Sequence, residues 1–248
     1  MEDKILAGFK KDFSVIKLKG FVKSHRLHNT GIGKTFEDLI GITENNNFLA
    51  DYKNVLELKS SRELSNSMVT LFTKAPHPKG VNSIIREIYG ESDKETGGLK
   101  IIHTTVSTLK FNNFFGKFGF KLRIDEDKRR IYLLIKDLEK DKIENIEIYY
   151  DFEDIQKIVE KKLDYIAYIK AETKIEKGKE FFKFKKATLL NGLTFDKFIQ
   201  FIKEGLILYD IRLGVFRSGK KEGKTHDHGS GFRILKNNLD KVFKVQEF

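Results

Sequence analysis

The chain contains no cysteine, which removes disulfides, thiolate metal ligands and a cysteine nucleophile from consideration. Any zinc site would have to be built from histidine and carboxylate alone. Only 2 prolines occur in 248 residues, and no Ser/Gly-rich linker is present, so no boundary between independent domains is visible. No stretch approaches the roughly 18 apolar residues of a membrane span. The opening MEDK lacks the apolar core and small-residue cleavage site of a secretory signal. These absences predict a cytoplasmic protein. No internal repeat is visible, and the length is ample for a core, either as one large domain or as two small lobes.

What the chain does have is charge. A formal net charge of +11 and a pI of about 9.4 point to a polyanionic partner. The excess is lysine spread along the whole chain, a composition that basic proteins without such a partner also show.

Asp51, Glu57 and Lys59 gather two hard anionic oxygen donors and one ammonium within residues 51–59. Glu57 and Lys59, at i and i+2, point to the same side of any strand they occupy. Asp51 belongs to the preceding turn or strand and can swing in beside Glu57, forming the carboxylate pair that Mg²⁺ prefers. A lysine next to that pair can orient a water and offset charge on a phosphorane. The pattern is short, however, and a solvated strand edge would look the same.

Residues 218–233 form a second polar constellation, SGKKEGKTHDHGSGFR, with His226 and His228 at i and i+2, Lys224 among its lysines and Arg233 on the following strand. Arg, Lys and His donors for guanine, a carboxylate to accept from cytosine N4 and glycines that permit close approach are what a major-groove reader needs. Asp210 and Arg212, also at i and i+2, extend the same edge. The bland alternative is a solvated Gly/Lys loop, and a zinc site at His226 and His228 lacks a nearby third ligand. Residues 31–35, GIGKT, suggest a phosphate-binding loop, but His28 stands where that motif requires its first glycine. His25, His77 and His103 show no partner pattern and read as structural or solvated.

Periodicity predicts helices over residues 4–23, 35–41, 81–89, 152–163 and 194–203. In the second of these Glu37 would lie near the first turn, with Phe36, Leu39 and Ile40 inward. Strands are predicted over 51–59, 68–73, 101–109, 118–124, 130–136, 165–173, 181–187 and 207–216, with hairpin turns at 125–128 and 176–179. Such a mixture is not a regular βαβ alternation, and it predicts an α+β protein built around a mixed sheet.

Residues 29–38 (NTGIGKTFED), the Asp51/Glu57/Lys59 cluster, residues 70–76 (TLFTKAP) and residues 218–229 (SGKKEGKTHDHG) together resemble the MvaI/BcnI type II restriction endonucleases. Residues 171–176 (AETKIE) and 210–214 (DIRLG) extend the resemblance over most of the chain. This family is a branch of the PD-(D/E)XK nucleases similar to the mismatch-repair nicking enzyme MutH. The resemblance implies a PD-(D/E)XK core in two lobes around a DNA-binding cleft, with residues 1–150 mainly catalytic and 151–248 mainly recognition, the lobes free to interleave. It implies Mg²⁺ held by Asp51 and Glu57, Lys59 assisting the water, and Glu37 completing the site. Asp210, Arg212, Lys224, His226, Asp227, His228 and Arg233 would contact DNA. The implied activity is cleavage of duplex DNA at a CC-N-GG type site, CCWGG or CCSGG, by a monomer that nicks the strands in turn. A cognate DNA methyltransferase would act on the same site without stable complex. A MutH-like nickase and a non-catalytic DNA-binding protein are the alternatives.

Overall fold

The computed structural model describes residues 2–43, 49–65 and 67–248. Among the described residues the chain opens with α1 (Glu2–Leu18), β1 (Val22–Lys23), α2 (Gly31–Ile40), β2 (Leu56–Arg62), β3 (Val69–Thr73) and α3 (Val81–Tyr89). A run of strands follows: β4 (Glu91–Ser92), β5 (Lys100–Val106), β6 (Phe118–Asp125), β7 (Arg130–Asp137), β8 (Lys142–Ile143) and β9 (Tyr149–Asp151). Next come α4 (Phe152–Lys162), β10 (Tyr165–Glu176), β11 (Lys179–Asn191), α5 (Phe195–Lys203) and β12 (Ile207–Val215). The chain ends with β13 (Thr225–Asp227), β14 (Gly231–Ile234), α6 (Leu239–Val242) and β15 (Lys244–Glu247). The architecture is α+β with mixed sheets, as the sequence predicts.

Two compact units form, one from Met1–Val69, Lys157–Thr194 and Lys236–Phe248, the other from Thr70–Gln156 and Phe195–Leu235. A division at 150/151 matches neither. The units interleave because β10 and β11 complete the sheet that β2 begins, while β12 and β14 complete the sheet that holds β3 and β5.

In the first unit the sheet runs β1-β11-β10-β2, with β15 pairing β11. β10 and β11 are an antiparallel hairpin, whereas β2 adds parallel to β10 with Glu57 opposite Ile166 and Lys59 opposite Tyr168. One face of this sheet is apolar, formed by Leu56, Leu58, Ala167, Ile169, Ala187 and Leu189. Phe9, Phe13 and Ile16 of α1, spaced i, i+4, i+7, make the helical stripe that belongs to the same core. Ile32 and Phe36 of α2 join it, and the Phe36 and Phe184 rings lie 5.1 Å apart. Glu57 and Lys59 fall on the other face because successive strand residues alternate.

The second unit holds a sheet ordered β3-β14-β12-β5-β4, with β13 pairing β12, and a smaller sheet in which β6, β8 and β9 surround β7. Tyr209, Ile211, Leu213 and Val215 of β12 are buried. Tyr209 and Phe232 join Phe72, Phe198 and Tyr150 in a chain of aromatic contacts with ring centroids 5.2 to 5.6 Å apart. The alternate residues Asp210 and Arg212 therefore lie on the opposite face.

β10 and β11 run three to four residues beyond their predicted C-terminal ends and β5 stops three residues short, and three further elements depart from their predicted bounds near the site. The first helix stops at Leu18, where the chain turns through Gly20 at φ 69 into β1. The second starts at Gly31 rather than Thr35, so Glu37 stands in its second turn. Of its expected inward residues, Phe36 is fully buried while Leu39 and Ile40 are half-buried. The strand that carries Glu57 and Lys59 begins at Leu56, since Lys53 and Asn54 both take positive φ (52 and 61) and form a hairpin turn before it. Phe36→Ala removes a ring that is 0% exposed and bridges α2 to β11, and it should lower unfolding free energy by about 3–5 kcal/mol in denaturant titrations followed by circular dichroism.

Candidate catalytic centre and recognition surface

The turn at Lys53–Asn54 folds Asp51 back alongside β2. Val55 N donates to Tyr52 O at 3.1 Å, and Tyr52 N donates to Leu56 O at 2.9 Å. The Tyr52 hydroxyl donates to Asp12 of α1 at 2.6 Å, anchoring the turn, and burial with that carboxylate pushes the phenol up to about 12. The result is local and specific: Leu58 N donates to Asp51 Oδ2 at 3.0 Å, so Asp51 sits against the strand that carries Glu57 and Lys59.

Glu57 is only 4% exposed. Lys59 Nζ donates to its Oε1 at 2.8 Å, while Oε2 is buried with no hydrogen-bond partner. A carboxylate oxygen buried in that state costs about 1–3 kcal/mol, more if charged, unless something else takes its lone pairs. Two carboxylates and no sulfur ligand suit a hard, oxygen-seeking divalent cation. Among the described residues no group of three or more His, Asp and Glu could hold a metal, so the remaining ligands would be water and substrate oxygens. Glu37 lies on α2, its Oε1 3.9 Å from where a Cβ on Gly33 would stand.

Gly31 serves packing. A Cβ at Gly31 would lie 2.3 Å from Arg26 O and 2.6 Å from Ser24 Oγ, and Lys34 is paired with Asp38 at 2.6 Å. His25 is likewise held by Asp38, at 2.9 Å, and His77 stacks on Tyr149 and reaches Asp154 at 3.3 Å.

Most of the residues expected to contact DNA gather on the polar face of β12. Asp210 accepts from Thr105 Oγ1 at 2.9 Å and has Arg233 Nε at 3.2 Å and Arg212 Nε at 3.8 Å from its other oxygen. Arg233 is 8% exposed and also donates to Gly229 O at 2.9 Å, so it acts from behind Asp210. His226 lies opposite Gly214, stacked on Phe216 at 4.2 Å, with the His228 ring 4.2 Å beyond. A Cβ at Gly214 would come 2.6 Å from His228 Nε2; the missing side chain is the space the imidazole occupies. Lys224 is exposed, and its carbonyl accepts from Phe216 N.

Asp227 differs from its neighbours. Its register partner is Leu213, whose side chain faces the core, so Asp227 points away from the polar face. Its Oδ1 accepts from Gly229 N and Ser230 N, and its Oδ2 from Asn82 Nδ2 at 3.0 Å. These bonds build the loop between β13 and β14. One residue that the sequence left without a role joins the patch: His103, exposed on β5, is the register partner of Arg212 and lies 6.1 Å from the His228 ring. Nothing in the order Ile-Ile-His-Thr-Thr of residues 101–105 singles it out, and only the pairing with β12 says which side chains it joins.

An edge strand with a buried carboxylate and a lysine, a second carboxylate hydrogen-bonded to that strand, and a sheet face bearing guanidinium and imidazole groups are the equipment of a type II restriction endonuclease, a site-specific deoxyribonuclease. The MvaI/BcnI restriction endonuclease family model matches residues 10–243, and the chain belongs to that family. It is similar to a solved structure of the restriction endonuclease MvaI in complex with its cognate DNA substrate: 38% identity, 98% of each chain covered, TM-score 0.89. Against MvaI in the absence of DNA the identity is 37%, with 98% of this chain and 97% of that one covered, at a TM-score of 0.61. No curated protein matches the chain. No described helix is long and apolar enough to cross a membrane.

Partial burial, with the Arg212 guanidinium beside His103 and the His226 ring beside His228, holds both imidazoles below their ordinary 6.5. The unfolded chain then binds more protons between the lowered values and 6.5, so the cost to folding grows as pH falls through that window and is fully present below it. Proton NMR titration should place both midpoints below 6.5, and a midpoint above it would contradict this arrangement.

Proposed function

We propose that this restriction endonuclease cleaves duplex DNA in a Mg²⁺-dependent reaction at a CC-N-GG type site, as a monomer that nicks the two strands in turn. The observation that carries the catalytic part is the buried Glu57 carboxylate, its Oε2 unpartnered and its Oε1 held by Lys59, on the strand to which Asp51 is hydrogen-bonded through Leu58 N. Asp51 and Glu57 would hold the ion. A bound Mg²⁺ offsets the negative charge that grows on the phosphorane and on the leaving 3′ oxygen. Lys59, held by Glu57, orients the attacking water and adds a fixed positive charge where the transition state is most anionic. Glu37 presents a further carboxylate from α2. In-line hydrolysis leaves 5′-phosphate and 3′-hydroxyl ends.

Binding of duplex DNA is supported by the net charge of +11 and by similarity to a protein solved with its cognate DNA. On the recognition side Arg212, His226 and His228 face base edges, Asp210 accepts from cytosine N4, and Lys224 meets the phosphate backbone. Arg233 holds Asp210, and Asp227 shapes the loop that presents His228. The family resemblance supports the CC and GG arms, as well as a cognate methyltransferase acting on the same sequence as a separate protein.

Digesting unmethylated phage DNA and a supercoiled plasmid with the purified protein and Mg²⁺, then sequencing the ends, should give discrete fragments cut at one CC-N-GG type site. The plasmid should pass through an open-circle form. Cleavage confined to hemimethylated DNA with an added partner would instead assign a MutH-like nickase. Asp51→Ala should reduce cleavage below detection while specific binding in Ca²⁺ stays within about threefold of wild type. A variant that still cuts at more than a few per cent of the wild-type rate would displace Asp51 from the metal site.

A further inference from the structure

We propose that His103 is a specificity-determining residue whose imidazole hydrogen-bonds a base edge of a G·C pair beside the one met by Arg212. The inference rests on the recognition role just assigned to the polar face of β12. Antiparallel pairing puts His103 directly opposite Arg212 and Thr105 directly opposite Asp210, so β5 and β12 present adjoining rows on one face. Thr105 is already engaged with the Asp210 carboxylate, whereas His103 is exposed. Its ring stands edge-on to His228 at 6.1 Å and 84°, and His228 in turn lies 4.2 Å from His226. Three imidazoles and one guanidinium therefore line the same strip of surface.

The chemistry narrows the ligand. Partial desolvation of the ring, with Arg212 close by, holds His103 below its ordinary 6.5 and favours the neutral imidazole, which carries one donor and one acceptor. A donor matches guanine O6 or N7, and an acceptor matches the cytosine N4 amino group, so either ring nitrogen finds a partner on a G·C edge in the major groove. Neighbouring strands lie about 4.8 Å apart, which lets His103 and Arg212 reach different bases from adjacent strands.

The test compares His103→Phe, which keeps a ring against His228 but has no hydrogen-bonding nitrogen, with His103→Asn, which keeps one donor and one acceptor. Binding in Ca²⁺ is measured for the cognate duplex, for duplexes with single C·G to T·A or G·C to A·T changes, and for a non-cognate duplex. His103→Phe should bind the cognate duplex roughly 10- to 100-fold more weakly, lose discrimination at one G·C pair and leave non-cognate binding unchanged. His103→Asn should recover part of the loss. Wild-type affinity and an unaltered discrimination profile in His103→Phe would overturn the proposal and leave the ring a packing role. An equal loss on every duplex would overturn it in favour of a phosphate contact. If the wild-type protein itself failed to discriminate among the duplexes, the recognition role of the whole face would fall, and the inference with it.

Discussion

The parallel pairing of β2 with β10 is the constraint on which the catalytic centre depends. β2 is an edge strand of its sheet, held from one side only, yet it carries both a buried carboxylate and the lysine that satisfies half of it. Leu56 and Leu58 fix its orientation by entering the core with Ala167 and Ile169. A slip of one residue would turn Glu57 into that core, where no polar partner in the apolar cluster could receive it. Hydrophobic patterning on one face thus determines where charge appears on the other.

The same logic, with different residues, organises the second unit. Tyr209 and Phe232 hold β12 and β14 together on the aromatic side, and the intervening residues, Asp210, Arg212 and Arg233, meet on the reverse. Arg233 illustrates the balance. It is almost fully buried, and burial pulls its guanidinium below its ordinary value, but Asp210 and the Gly229 carbonyl stand at its nitrogens. An arginine in that position stiffens a carboxylate more than it reaches outward, and the better exposed Arg212 is left free for contact.

Much of this was legible from residue order. The i, i+2 spacing of Glu57 and Lys59 placed them on one strand face, and the hairpin turns appear where expected, the first held by Asp125 accepting from Lys128 N and the second turning through Lys177 and Gly178. What escaped had a physical reason in each case. Lys53 in a positive-φ turn carries no composition signal, so the catalytic strand was placed several residues early. The strands β1, β4, β8 and β13 are two or three residues long and exist only because a longer partner pairs with them. Asp227 looked like its histidine neighbours, but register with Leu213 turned it inward, and register with Arg212 drew His103 into a patch more than a hundred residues away in sequence. Pairing partners are long-range facts that local periodicity does not contain.

The interleaving of the two units has an evolutionary corollary. Neither unit is a contiguous stretch, since the chain leaves the first after Val69, returns at Lys157, leaves again after Thr194 and returns at Lys236. A single recombination crossover between relatives cannot transplant the reading face intact, because it would carry β5 without β12 or a share of β10 and β11 with it. If the recognition role proposed for β5 and β12 holds, new sequence preferences in such an architecture arise most directly by point changes at positions such as His103, Arg212 and His228, each altered within an unchanged frame. Drift of specificity by single substitution, rather than by module exchange, is the route this topology leaves open.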